Sequence, residues 1–185
     1  EVRAVSPNFG IMEQQSGANG WNTRMEAPTP RPGQITLWTI QSIAHGADFV
    51  SYFRWRTARF GTEMYWHGIL DYSGRENRRL REVREISRKI AAMQEISGSK
   101  YDAKVGIVKD YDNIWDSQLD RWHGRVEHFS QKNLFEAMEL LHVPFDFVYL
   151  ENHVTLESLR QYEVLFYPHG VILDRERTAL LEEYV

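Results

Sequence analysis

The sequence predicts an α/β protein with parallel strands, arranged as two successive regions. Three observations lead there. Short apolar runs such as "ADFVSYFRW" and "KVGIVKD" alternate with segments of helical period. The first region reads strand, helix, strand, strand, helix, which is the grammar of a parallel α/β structure. The pattern then breaks at residues 97–103, "SGSKYDA", and restarts with the same alternation. That break sets the expected boundary, with one domain over residues 1–100 and a second over 101–185.

Taken in order, "NFGIMEQQ" (residues 8–15) reads as a short buried strand ending in polar residues. "SGANGWNTRMEAPTPRPG" is rich in Gly, Pro, Asn and Thr and reads as a long loop. Loops beyond about 12–15 residues in a compact domain are usually functional or disordered, and Trp21 gives this one something to bind with. "QITLWTIQSIAHG" predicts a helix with Ile35, Trp38, Ile43 and Ala44 inward and Gly46 as its stop. "ADFVSYFRW" is the second buried strand and "HGILD" a short third. In "ENRRLREVREISRKIAAM", Leu80, Val83, Ile86, Ile90 and Met93 recur at steps of three and four between charged residues, which predicts an amphipathic helix.

After the break, "KVGIVKD" is a strand, "HFSQKNLFEAMELLH" a helix and "FDFVYLEN" a strand. "TLESLRQY" is a helix opened by Thr155, "VLFYPHG" a strand, and "DRERTALLEEYV" a helix opened by Asp174. Both openers are good N-caps because their side-chain oxygens accept from orphan helix amides. This order matches the first half of an open, flavodoxin-like sheet. With about three strands in each region, the chain reads as an internal piece of a larger enzyme.

Composition excludes some classes and leaves others open. Hydrophobic residues make up 42% and charged residues 26%, as in an ordinary globular protein. A net charge of −4 argues against a broad basic face, so no nucleic-acid partner is expected. No segment has the roughly 20 apolar residues needed to span a bilayer, so no membrane partner is expected either. There are no cysteines, which removes disulfides and thiolate metal sites. No basic leader precedes an apolar core at the start. The compartment is therefore not readable, with the cytoplasm as the default expectation. Aromatic residues form 13% of the chain, and many sit near strand ends, where rings either pack a core or stack on a ligand.

Parallel α/β proteins place ligands at the carboxyl ends of their strands. In the first region those ends deliver Glu13 with Gln14 and Gln15, then Arg54, Trp55, Arg56 and Glu63, then His67 and Asp71. Glu63 sits among Phe60, Met64, Tyr65, Trp66 and His67. A carboxylate flanked by rings and arginines suits a reaction that builds positive charge on carbon. Glycoside hydrolysis is one, through an oxocarbenium-like transition state. Arg54 and Arg56 would balance the charge of an attacking Glu63, and Tyr65 would donate to it. The same residues also suit a plain ion pair. His67 and Asp71 do not make a metal box. There is no phosphate loop, serine elbow or Cys/His pair, and no cofactor is implied.

"MEQQSGANGW" and "PGQITLWTIQSIAHGADFVSYFRWRTARFGTEMYWHGILDYSGRENRR", with the helix that follows, resemble the β-galactosidases of glycoside hydrolase family 42. The likeness runs through essentially the whole chain and is most specific from Phe9 to Arg79. It implies the C-terminal portion of a (β/α)8 TIM barrel, followed by the first half of a flavodoxin-like α/β domain that contributes to a homotrimer. It further implies retaining hydrolysis of terminal β-galactosides, with Glu63 as the catalytic nucleophile. The general acid/base would come from an Asn-Glu pair on a barrel strand absent here. Glu13 does not match that motif and is not given that role; its place at a strand end makes it a candidate for substrate contact, and the resemblance suggests that Trp21 and Trp66 or His67 lie near the galactose subsite. The family's cysteine-bound zinc lies outside this piece, and no metal is expected in it.

An isolated chain of this kind is expected to be inactive, because half the carboxylate pair is missing. The alternative reading is a non-catalytic oligomerisation module carried by residues 101–185. A glutamine-amidotransferase-like activity is set aside, because its cysteine nucleophile is missing from a chain without cysteines.

Overall fold

The computed structural model describes every residue except Pro7, Asn22, Thr23 and Asn152, and of Trp21 and residues 24–26 the backbone only. The elements run α1 (Val2–Val5), β1 (Gly10–Gln15), β2 (Asn19–Trp21), β3 (Arg24–Ala27), α2 (Gln34–Ala44), β4 (Phe49–Phe53), α3 (Arg78–Ala92), β5 (Val105–Lys109), α4 (Tyr111–Leu119), α5 (Val126–Leu140), β6 (Phe145–Tyr149), α6 (Leu156–Leu159), β7 (Val164–Phe166) and α7 (Arg175–Tyr184). Internal packing divides them into two compact units. One is Asn8–Tyr101; the other joins Glu1–Pro7 to Asp102–Val185. The opening helix α1 thus packs with the second unit, where Arg3 Nε donates to Asp146 Oδ1 at 2.8 Å.

In the unit Asn8–Tyr101, β1 and β4 pair in parallel. Their register slips between Ile11 and Gln14, where β1 carries one more residue than β4. A bulge of this kind changes the phase of side-chain alternation, and here it leaves Met12 and Glu13 both exposed. The predicted buried strands are therefore only half-buried, since this sheet has two strands and open edges.

The predicted long loop is also corrected. Its centre folds as an antiparallel hairpin, β2 against β3, with Asn19 opposite Ala27 and Trp21 opposite Arg24. The third predicted strand, "HGILD", is reduced to a single parallel bridge between Arg56 and Leu70. Its backbone is held there by Thr57 N donating to Leu70 O at 3.0 Å and Leu70 N donating to Trp55 O at 2.8 Å.

Helix α2 buries Ile35 and Thr39, whereas Ala44 is exposed. Gly46, at φ 92°, turns the chain out of the helix, as glycine allows. Thr39 lies on the apolar face because its hydroxyl is satisfied twice, by Ile35 O at 2.8 Å and Tyr52 Oη at 2.8 Å. Helix α3 is opened by Asn77, whose Oδ1 accepts from Leu80 N at 3.0 Å, and it buries Leu80 and Ile86. Ile90, predicted inward, is 39% exposed. Ile69, Leu70 and Leu80 form a core cluster with Tyr52 and Val83 against it. Glu82 ties α3 to α2 by accepting from Thr36 N at 3.1 Å.

The other unit is a parallel three-stranded sheet in the order β6–β5–β7. Ile107, Met138 and Phe145 form its core cluster, with Val105, Leu134, Val143, Phe147 and Phe166 packed on it. Thr155 and Asp174 cap α6 and α7 as predicted, accepting from Ser158 N and Arg177 N. Helix α4 was not foreseen. Its cap is Asp110, which accepts from Asp112 N at 2.9 Å.

Beyond β5 and β7 this unit holds a buried polar network. Asp110 accepts from Tyr167 Oη at 2.6 Å and from Arg177 Nη1 at 3.1 Å. Asn113 accepts from the amides of Val171 and Ile172, both at 2.8 Å, and donates to Tyr167 Oη at 3.0 Å.

Candidate active site

The candidate site lies in the loops that leave β1 and β4. Glu13 stands on the bulged part of β1, exposed, and makes no ion pair among the described residues. Glu63 lies in the turn after β4 with its side chain 46% exposed. Arg54, one residue past β4, grips it at two points. Nη1 donates to Glu63 Oε2 at 3.0 Å and Nη2 to Glu63 O at 3.0 Å. The guanidinium also lies 5.3 Å from the Phe53 ring centroid. A planar fork reaching both a side chain and its own backbone fixes the turn as well as the carboxylate.

The other expected partners of Glu63 are placed elsewhere. Arg56 Nη2 donates to Tyr72 O at 3.1 Å, which directs it to the loop beyond. Tyr65 gives Glu63 no hydrogen bond among the described residues. One arginine therefore takes the task the sequence divided among three residues.

Trp66 and His67 follow within the same turn. The Trp66 ring meets Phe53 edge-on, with centroids 5.7 Å apart. The His67 ring meets Tyr72 edge-on at 5.2 Å. Burial holds the His67 imidazole below its ordinary 6.5; Asp71 pulls it up and Arg79 pushes it further down. Asp71 is itself paired with Arg79. The backbone of Trp21 belongs to β2, and its side chain lies outside the described part of the structure. Among the described residues, no three His, Asp or Glu side chains converge as metal ligands.

Several residues that sequence reasoning passed over hold these loops together. Ser16, fully buried, donates to Phe53 O at 2.7 Å and reaches Arg54 O at 3.3 Å. His67 N donates to Ala18 O at 2.8 Å. Thr57 Oγ1 donates to Leu70 O at 2.9 Å and accepts from Gly68 N at 3.1 Å. The only local sequence signal was a pair of glycines. A Cβ on Gly17 would stand 2.4 Å from His67 O, and one on Gly68 would stand 2.4 Å from Arg54 O.

An exposed and a half-exposed glutamate, an arginine fork and aromatic rings near the carboxyl ends of parallel strands place the chain in the class of α/β proteins whose strand-end loops suit glycoside chemistry. The model of the β-galactosidases of glycoside hydrolase family 42 matches residues 2–93. β-Galactosidase BgaA of Clostridium cellulovorans is 34% identical over 96% of this chain and 26% of its own length. β-Galactosidase LacZ of Heyndrickxia coagulans is 30% identical over the same shares. The crystal structure of β-galactosidase from the psychrophilic Marinomonas ef1 superposes with a TM-score of 0.80 at 29% identity, over 98% of this chain and 28% of that one. The chain belongs to glycoside hydrolase family 42. It spans about a quarter of the length of the curated relatives it matches.

Proposed function

We propose that this chain supplies one half of the site of a retaining β-galactosidase. Residues 1–100 would be the C-terminal part of the catalytic TIM barrel and residues 101–185 the start of a flavodoxin-like trimerisation domain. The parallel pair β1–β4, with helices α2 and α3 after its strands, supports the first assignment. The order β6–β5–β7 supports the second, since it is the 2-1-3 start of the flavodoxin-like order. The observation that carries the functional reading is the joining of the two glutamate-bearing loops, through Ser16 to the end of β4 and through Ala18 to His67.

In this reading Glu63, its carboxylate held by Arg54, attacks the anomeric carbon as the glycosidic C–O bond breaks; the leaving oxygen takes a proton from the general acid, and water then hydrolyses the galactosyl ester. Glu13, Trp21, Trp66 and His67 line the galactose subsite. The general acid/base glutamate comes from outside this chain, so the isolated 185 residues are inactive. One observation favours a second assignment. The bulge at Met12–Glu13 presents Glu13 without an ion-pair partner among the described residues, whereas Glu63 is already held by Arg54. Bulges next to active sites re-aim side chains. The roles then exchange: Glu13 attacks, and Glu63 binds a galactose hydroxyl.

Trapping decides between them. A full-length enzyme carrying this chain, treated with an activated 2-deoxy-2-fluoro-β-galactoside, accumulates a glycosyl ester that peptide mapping locates. Label on Glu63 supports the first assignment and label on Glu13 the second. Label elsewhere, or an inverted product anomer, defeats both. Light scattering on the same enzyme tests the homotrimer, which a monomer at high concentration would refute.

A further inference from the structure

We infer that Ser16 is a positioning residue for the reaction, setting the β1 carboxylate against the Arg54–Glu63 pair. The inference rests on the proposal that Glu13 and Glu63 both face the substrate. Ser16 follows directly on β1, three residues after Glu13, and has no exposed surface. The parallel ladder ends beside it, where Gln15 stands opposite Phe53. The carbonyl of Phe53 then meets the Ser16 hydroxyl at 2.7 Å, and that of Arg54 lies 3.3 Å from the same oxygen. One buried hydroxyl therefore ties the end of β1 to the backbone from which the Arg54 side chain departs.

The tie matters because Arg54 is the base of the Glu63 turn. Its fork contacts both Oε2 and the main-chain oxygen of Glu63. A shift of the Arg54 backbone moves the Glu63 carboxylate with it, while Glu13 stays with its own strand. Packing leaves no slack on the far side. The Arg54 carbonyl also accepts from Ile69 N at 2.6 Å, and Gly68 lies where a Cβ would meet that same carbonyl. Reacting groups displaced by about 1 Å lose on the order of 100-fold in rate, so a hydroxyl that fixes the spacing of two carboxylates acts on turnover more than on binding.

The test uses Ser16→Ala and the nearly isosteric Ser16→Cys, whose thiol is a weak donor, in a full-length enzyme carrying this chain. With a nitrophenyl β-galactoside, kcat should fall about 10–100-fold in the alanine variant and less in the cysteine variant. KM should stay within about twofold of wild type, and the variants should remain folded at the assay temperature by circular dichroism. Wild-type kcat in both variants would overturn the inference. So would a loss of kcat that simply tracks a loss of folded protein. Glu13→Gln and Glu63→Gln separate this failure from that of the underlying reading. If both abolish turnover while Ser16→Ala keeps it, positioning by Ser16 falls alone. If either glutamine variant keeps wild-type turnover, the two-carboxylate reading falls and the inference falls with it.

Discussion

Removal of the Asp110 carboxylate should cost the second unit a large part of its stability. The Asp110 side chain is completely buried. It accepts from Tyr167 Oη at 2.6 Å, from Arg177 Nη1 at 3.1 Å on both oxygens, and from Asp112 N at 2.9 Å as the cap of α4. Breaking a buried ion pair on one side costs about 3–5 kcal/mol. Arg177 keeps Asp112 at 2.8 Å and Asp174 at 3.4 Å, which lowers the figure to roughly 2–4 kcal/mol for Asp110→Asn. Asp110→Ala adds the lost cap, about 1 kcal/mol, and a Tyr167 O–H left without its acceptor although its oxygen still accepts from Asn113, about 1–3 kcal/mol. Small domains hold only about 5–15 kcal/mol in total, so the alanine variant sits near the edge of folding. Urea denaturation followed by circular dichroism, at a slope of about 1–3 kcal/mol per molar, should show a fall in midpoint of about 1–2 M for Asp110→Asn. Asp112→Asn, at a half-exposed carboxylate on the same arginine, should cost at most about 1 kcal/mol. Equal effects at Asp110 and Asp112 would refute the reasoning, because Asp110 is buried and accepts from Tyr167 as well as Arg177, whereas Asp112 is half-exposed and holds Arg177 alone.

Further outcomes follow from the same physics. Asn77→Ala removes the cap of α3 and the donor to Ile69 O at 2.9 Å, and should cost about 2 kcal/mol by chemical denaturation. The imidazole of His67 should titrate below 6.5 by NMR. Its folded pKa lies below the unfolded one, so its contribution to stability is present at neutral pH and lost as pH falls through the histidine range. His67→Gln should flatten that part of the profile. Glu127 is buried and its carboxyl is pushed up by burial, against the pull of Lys109, His128, His169 and Arg125. The sign reverses here: the folded state binds its proton more tightly, so stability rises as pH falls toward the ordinary carboxylate value. Glu127→Gln should stabilise the protein at neutral pH and remove that rise in pH-dependent melting. Gly68→Ala should displace the Arg54 carbonyl and lower the melting midpoint, and, in a full-length enzyme carrying this chain, turnover as well.

What was legible in the sequence was whatever local chemistry decides. Thr155 and Asp174 announce their helices because a cap needs only its own next turn. Helix α3 was legible from the spacing of Leu80 and Ile86, and β5 from its unbroken apolar run. The failures are long-range. Helix α4 contains Asp, Asn and Ser, which are weak helix formers, yet Asn113 is buried because amides 58 and 59 residues away complete its hydrogen bonds. The β2–β3 hairpin lies in a stretch whose composition reads as loop, and nothing in its pattern alternates. At the site, the rings and glutamates stood out as residue types, but the choice of Arg54 over Arg56 depends on where the two loops meet. Ser16 gave no local signal at all, since its value lies in a carbonyl 37 residues away.

The two units use their strand-end polar groups in opposite ways, and that difference supports placing the proposed chemistry after β1 and β4. Parallel sheets offer ligands the carboxyl ends of their strands. After β5 and β7 those positions are consumed internally: Asp110, Asn113, Tyr167 and Arg177 satisfy one another and the following loop. Among the described residues, Asp110 and Asn113 there are buried and hydrogen-bonded within the unit. After β1 and β4, Glu13 and Glu63 remain exposed or half-exposed, and the groups around them brace the backbone and leave one or both carboxylate oxygens open. Glu63→Gln should therefore cost at most about 1 kcal/mol of stability, the worth of an exposed ion pair, while removing a carboxylate that the proposed function requires. In a full-length enzyme carrying this chain, loss of turnover with a nearly unchanged melting midpoint for Glu63→Gln, set against a lowered midpoint with near-normal turnover per folded molecule for Asp110→Asn, would support the proposed division between a reacting unit and a structural one.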